Sequence, residues 1–188
     1  DLNLAQPEIS GLLEAYRYNG QIIGREFPLV LVVDHFEVYV VCPEQDALAV
    51  KYNSAEVAEA YQAILEVGLA LPNFELLGLE CQSDFCDICD TPEALVLYST
   101  FVQSCSPLRC LTHFSPVPLY KIPSSVRRPL VDWQASQAAC DQLQMHGITS
   151  VEPQVLEQMS APDSELMLQA KHLTDEISIR VKVPVYRY

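Results

Sequence analysis

Apolar residues follow two rhythms along this chain. Over residues 7–18, Ile9, Leu12, Leu13 and Tyr16 recur at the spacing of one helix face, and Pro7 falls in the first turn, where a missing N–H is tolerated. Val57, Tyr61, Ile64 and Leu65 repeat that spacing behind Asn53, which forms a capping-box pair with Glu56. The helix predicted there ends near Gly68, ahead of Pro72. Between the two helices, residues 27–33 and 35–42 are dense in β-branched and aromatic side chains. Only Asp34 separates them, so a tight hairpin is predicted, and residues 74–79 read as a further strand.

That order is α-β-β-α-β. One more strand before Pro7, either absent or represented by residues 1–4, would complete the βαββαβ order of a ferredoxin-like unit. In the second half, residues 94–103 read as a strand, and 117–122 as a shorter one bounded by Pro116 and Pro123. Residues 128–145 form a predicted helix carrying Trp133, Cys140 and Leu143. Ser160 is the expected cap of a helix that opens with Pro162 and turns Leu166, Ala170 and Leu173 inward. Ile177, Ile179, Val181 and Val183 alternate with Ser178, Arg180 and Lys182, which predicts a half-buried strand. The expected class is α+β, with a ferredoxin-like unit over residues 1–80 and a cysteine-containing α+β unit over 81–188.

Composition narrows the function classes. The 188 residues are 49% apolar and 19% charged, which suits a packed core and excludes general disorder. The net charge of −14 is the wrong sign for a protein that binds nucleic acid over its whole surface. The longest apolar run, Leu29-Val30-Leu31-Val32-Val33, falls far short of the roughly 20 residues that span a bilayer, so no membrane association is expected. No secretory leader is recognisable, although a chain that opens at Asp1 without Met could have lost one. Seven cysteines, an odd number, fit a reducing cytoplasm better than a fully paired secreted framework.

Five of those cysteines, Cys81, Cys86, Cys89, Cys105 and Cys110, lie within 30 residues. Cys86-x2-Cys89 has the spacing of a metal knuckle, and Cys105-x4-Cys110 follows beyond a predicted strand that can bring both pairs to one end of a hairpin. A tetrahedral zinc held by Cys86, Cys89, Cys105 and Cys110 is one expectation, with His113 or Cys81 able to replace a ligand. Reduced free thiols and a disulfide are the alternatives. Cys42 and Cys140 read as small core hydrophobes.

Charge is unevenly spread. Residues 94–131 contain no acid, yet hold Arg109, Lys121, Arg127 and Arg128. Arg180, Lys182 and Arg187 follow near the end, with Tyr120, Tyr186 and Tyr188 available to stack. If the two segments are neighbours, Arg109, Lys121, Arg127, Arg128, Arg180 and Lys182 form a basic stripe able to meet a nucleic acid or a nucleic-acid-binding complex. Solvated strand faces with locally paired charges are the plainer reading. Cys105 or Cys110 with His113 offers a thiolate and base, and Arg109 would depress a neighbouring thiol. No nucleotide-binding glycine loop, H-E-x-x-H or G-x-S-x-G is present.

Several strings occur together: residues 16–28 (YRYNGQIIGREFP), 105–110 (CSPLRC), 116–123 (PVPLYKIP), and Trp133 through Ala139-Cys140-Asp141. They resemble an uncharacterised proteobacterial family regarded as zinc-ribbon-containing and as a candidate for nucleic-acid binding. The resemblance covers nearly the whole chain. It implies a ribbon of paired C-x2-C knuckles beyond the position of Tyr188, so the present residues look like the body that precedes it. The functional expectation is a cytoplasmic, non-enzymatic binding module associated with zinc and nucleic acid. A thiol-dependent enzyme using the Cys105–Cys110 turn and an acidic protein–protein adaptor are the rivals.

Overall fold

Leu12, Leu13 and Tyr16 come together with Ile22, Val57 and Ile64 to make the first hydrophobic core. In the computed structural model, which describes residues 2–79, 89, 91–103, 105–147 and 150–188, the chain divides into the units Asp1–Ser83 and Asp84–Tyr188. The first unit packs helix α1 (Leu2–Asn19) against helix α2 (Ala55–Glu66). Strands β1 (Val30–Val32) and β2 (His35–Glu37) form an antiparallel hairpin. Val32 pairs with His35, so the loop is the two residues Val33-Asp34, and Val33 accepts a left-handed φ of 54° to close it. Tyr16 shares a hydroxyl hydrogen bond with Tyr61 and meets Phe74 edge-on.

A buried polar network fixes the end of α1. Gln21 is fully buried and donates to the Ala47 carbonyl (2.8 Å) and to Asn53 Oδ1 (3.0 Å). Its own carbonyl accepts from Asn19, which also donates to the Tyr52 carbonyl. This network explains why Asn53 is not the helix cap. Its side chain is committed to Gln21, and Ser54 caps α2 instead by accepting from the Val57 N–H.

The second unit is built on a three-stranded sheet. Strand β3 (Leu95–Leu97) lies in the centre, antiparallel to β4 (Leu108–Cys110) and parallel to β5 (Val185–Arg187). Helices α3 (Ser124–His146), α4 (Glu152–Ser160) and α5 (Glu165–Val181) pack on one another. The Trp133 indole N–H donates to the Leu166 carbonyl and joins α3 to α5. Helix α3 also holds the β3–β4 connection: Asp141 accepts from Thr100 Oγ1 and the Phe101 N–H, and Gln134 donates to the Cys105 carbonyl.

The α+β class stands, but several local expectations do not, among them the strand over 117–122, where Leu119–Lys121 form a 3-10 turn. Residues 2–4 begin α1 rather than a strand, and 74–79 join no ladder, with Leu76, Leu77 and Leu79 exposed. Among the described residues the first unit therefore holds a two-stranded hairpin and one isolated bridge, Ile23 with Val41, in place of a ferredoxin-like sheet. The strand predicted over 94–103 shrinks to β3, because Thr100 and Phe101 bond to Asp141 instead of a neighbouring strand. Residues 177–181 are helical. Leu166, Ala170, Leu173 and Ile177 are buried at helical spacing, and that stripe outweighs the alternation around Ile179, which is exposed. Ser164, not Ser160, caps α5, and Lys182 ends it in the left-handed conformation.

Gln21→Ala removes the centre of the buried network and leaves the Ala47 carbonyl and Asn53 amide without it. It is expected to destabilise the first unit by about 1–3 kcal/mol, read as a lower urea midpoint with unchanged slope. An unchanged midpoint would mean that water already satisfies those groups.

Candidate metal centre

Leu108, Arg109 and Cys110 of β4 are all buried, and both edges of the strand are bonded. Toward β3, Tyr98 N–H donates to the Pro107 carbonyl and Leu111 N–H to the Ala94 carbonyl. On the other side, Val117 N–H donates to the Leu108 carbonyl (2.7 Å) and Cys110 N–H to the Ser115 carbonyl (2.9 Å). The chain can fold back this sharply because Phe114 adopts a φ of 57° and its N–H closes onto the Cys110 carbonyl. That turn is the sequence Cys110-Leu111-Thr112-His113.

The turn aims donors at sulfur. Burial pushes the Cys110 thiol up, but hydrogen bonds outweigh it: the His113 backbone, the Cys89 side chain, the His113 ring and the Thr112 backbone bring it down to about 7. Burial alone acts on Cys42 and Cys140, whose thiols are pushed up. Cys110 is thus the sulfur prepared to be a thiolate.

Cys89 Sγ, Cys110 Sγ and a ring nitrogen of His113 all lie within 4.8 Å of one another. Cys110 Sγ is 3.6 Å from His113 Nδ1. Donors on a tetrahedral zinc, at bonds of about 2.0–2.3 Å, sit roughly 3.5–3.8 Å apart, so the spacing fits. Two sulfurs and an imidazole are also a donor set that zinc favours. Cys110 is buried, Cys89 half-buried and His113 exposed, so the cluster spans the surface at this turn.

Cys105 lies outside the cluster. Neighbouring strand residues face opposite ways, so Arg109 leaves β4 on the side away from Cys110. Its guanidinium Nη2 lies 2.6 Å from Cys105 Sγ and 2.9 Å from Gln103 Oε1, and Nη1 donates to the Phe114 carbonyl. The rings of Tyr98 and Phe114 flank it, with the charge centre 5.4 and 4.7 Å from their centroids. Cys81 and Cys86 lie outside the described residues. Sequence spacing gave His113 only as a substitute ligand. Its C-x2-H interval from Cys110 becomes decisive once β4 is seen to end in a tight turn.

The basic residues divide differently from expectation. Arg109 is 2% exposed and is a structural cation of the turn, not a partner-facing one. Arg127 is half-buried and donates to the Tyr120 and Ile122 carbonyls. Arg180 pairs with Glu176 on α5. Lys121, Arg128 and Lys182 are exposed. The pairing of β5 with β3 does bring the end of the chain beside the acid-free segment. Among the described residues, no helix is long and apolar enough to cross a membrane.

Fold and site together define a two-unit α+β protein whose second unit brings two thiols and an imidazole together at a strand end. Residues 89–188 match the family described as a domain of unknown function (DUF2310), and the chain belongs to it. Residues 1–78 match a second domain of unknown function (DUF8589). An uncharacterised protein of Haemophilus influenzae is 38% identical over 187 residues, covering 96% of this chain and 71% of the relative. Another uncharacterised protein of the same organism is 36% identical over 124 residues, 64% of this chain and 61% of its own length. No solved structure matches.

A thiol held at about 7 rather than at the ordinary 9.0 has a fixed pH signature. In metal-free protein, ultraviolet thiolate absorbance should show a step near pH 7 that Cys110→Ser abolishes and His113→Ala moves upward. The folded value is depressed, so the stabilising contribution of the thiolate is complete above about pH 9 and disappears as pH falls through 7. A single thiol transition near 9 would contradict the geometry.

Proposed function

We propose that the second unit is a zinc-holding binding module of the cytoplasm, in which Cys89, Cys110 and His113 hold the ion. The observation that carries this reading is the convergence of those three donors around a thiol already biased to ionise. Cys86 lies outside the described residues, and its two-residue interval from Cys89 in the sequence makes it the ligand expected to complete the set. Bound there, zinc supplies a structural cross-link between the cysteine-rich segment and the turn after β4. Full burial of Cys110 favours this role over a catalytic nucleophile, which must meet a substrate. Purified protein is expected to carry about one zinc per chain, measured by elemental analysis. Cys110→Ser and Cys89→Ser should lose it, while Cys42→Ser and Cys105→Ser keep it. Zinc-free protein from cells grown in zinc-replete medium would reject the reading.

Nucleic acid is the second reading for the partner. It is supported by the β3–β5 pairing, which sets Arg187 opposite Leu97 in a segment without acids, with Lys182 exposed three residues before β5. Binding to RNA or DNA should then weaken steeply with salt, and Lys182→Glu/Arg187→Glu should weaken it further and flatten that dependence. Equal binding by both proteins would remove the basic edge from consideration.

A further inference from the structure

The first unit carries a pocket that the zinc reading does not use. Residues 1–83 contain 13 acidic side chains and three basic ones, Arg17, Arg25 and Lys51. Lys51 is neutralised by Asp46 at 2.7 Å. The other two line one pocket of about 270 Å³, together with Ser10, Leu13, Glu14 and Phe27. Among the described residues neither arginine forms an ion pair, although acids outnumber cations fourfold in this unit.

Local structure accounts for the gathering. Ser10, Leu13, Glu14 and Arg17 follow helical spacing along α1, so they share a face. The segment after α1 returns beside it through Gly24, whose φ of 128° suits glycine and whose missing Cβ would lie 3.4 Å from the Phe27 ring. That reversal sets Arg25 and Phe27 on the other wall. Two cations and the single carboxylate of Glu14 line this space, so its net charge is positive and draws an anion in.

We propose that this pocket binds a small organic oxyanion, a phosphate or carboxylate, gripped by Arg17 and Arg25. Guanidinium forks match both groups, and the Ser10 hydroxyl adds a donor. Glu14 accepts from a hydroxyl or amine of the ligand, and Leu13 and Phe27 cover its apolar part. The ligand is therefore a hydroxylated or aminated anion with an apolar face, not a bare inorganic ion.

Calorimetric titration of the whole chain with adenosine monophosphate, phenyllactate and, as a neutral control, adenosine tests this. Saturable binding of the phosphate or of the carboxylate, but not of adenosine, is expected and tells the two chemistries apart. Arg25→Gln, at an exposed position, and Arg17→Gln should each weaken it about tenfold or more. Lys51→Gln, which removes the one Lys or Arg of residues 1–83 outside the pocket, should leave it unchanged. Failure of both anions to bind, insensitivity to both arginine variants, or an equal loss in Lys51→Gln would overturn the proposal.

Discussion

The second unit depends on how the backbone turns after Cys110. A thiol buried at a strand end would ordinarily resist ionisation, because desolvation opposes charge. Here the turn places N–H groups of Thr112 and His113 against sulfur, and these, with the Cys89 and His113 side chains, reverse the sign of the shift. Backbone geometry comes first, then the lowered thiol pKa, and the proposed metal affinity would rest on both. The bonds that fix the turn come from β4, which is held by β3 on one edge and by residues 115–117 on the other.

Arg109 is the companion of that arrangement. Its guanidinium is enclosed by Tyr98 and Phe114 and bonded to Gln103, Cys105 and the Phe114 carbonyl. It therefore braces the turn from the face opposite Cys110. The string CSPLRC thus encodes two separate tasks: Cys105 and Arg109 secure one side of the strand, and Cys110 offers a ligand on the other.

Much of the fold was legible because it rests on local rhythm. Helices α1 and α2, the hairpin at Asp34 and most of α3 follow directly from apolar spacing and turn residues. The misread segments are those where a nonlocal contact outweighs a local pattern. Asn53 looks like a cap until Gln21 claims its side chain. Ile177 to Val183 look like a strand because β-branched residues alternate there, yet Leu166, Ala170, Leu173 and Ile177 bury a helical stripe. The candidate metal cluster was half legible for the same reason. Cysteine spacing drew attention to Cys89 and Cys110, but spacing carries no facing information, so it grouped Cys105 with them and left His113 as a substitute. In the structure Cys105 lies against Arg109, and the turn brings His113 to Cys89 and Cys110. The arginine pocket left no motif, because its walls are distant in type and only the fold sets Arg25 beside the α1 face.

The central claim is that Cys89, Cys110 and His113 share one zinc ion. X-ray absorption at the zinc edge of the purified protein addresses it most directly. The account predicts a mixed shell of sulfur at about 2.3 Å and imidazole nitrogen at about 2.0–2.1 Å, with the nitrogen contribution lost in His113→Ala. A shell of oxygen and nitrogen without sulfur would contradict it.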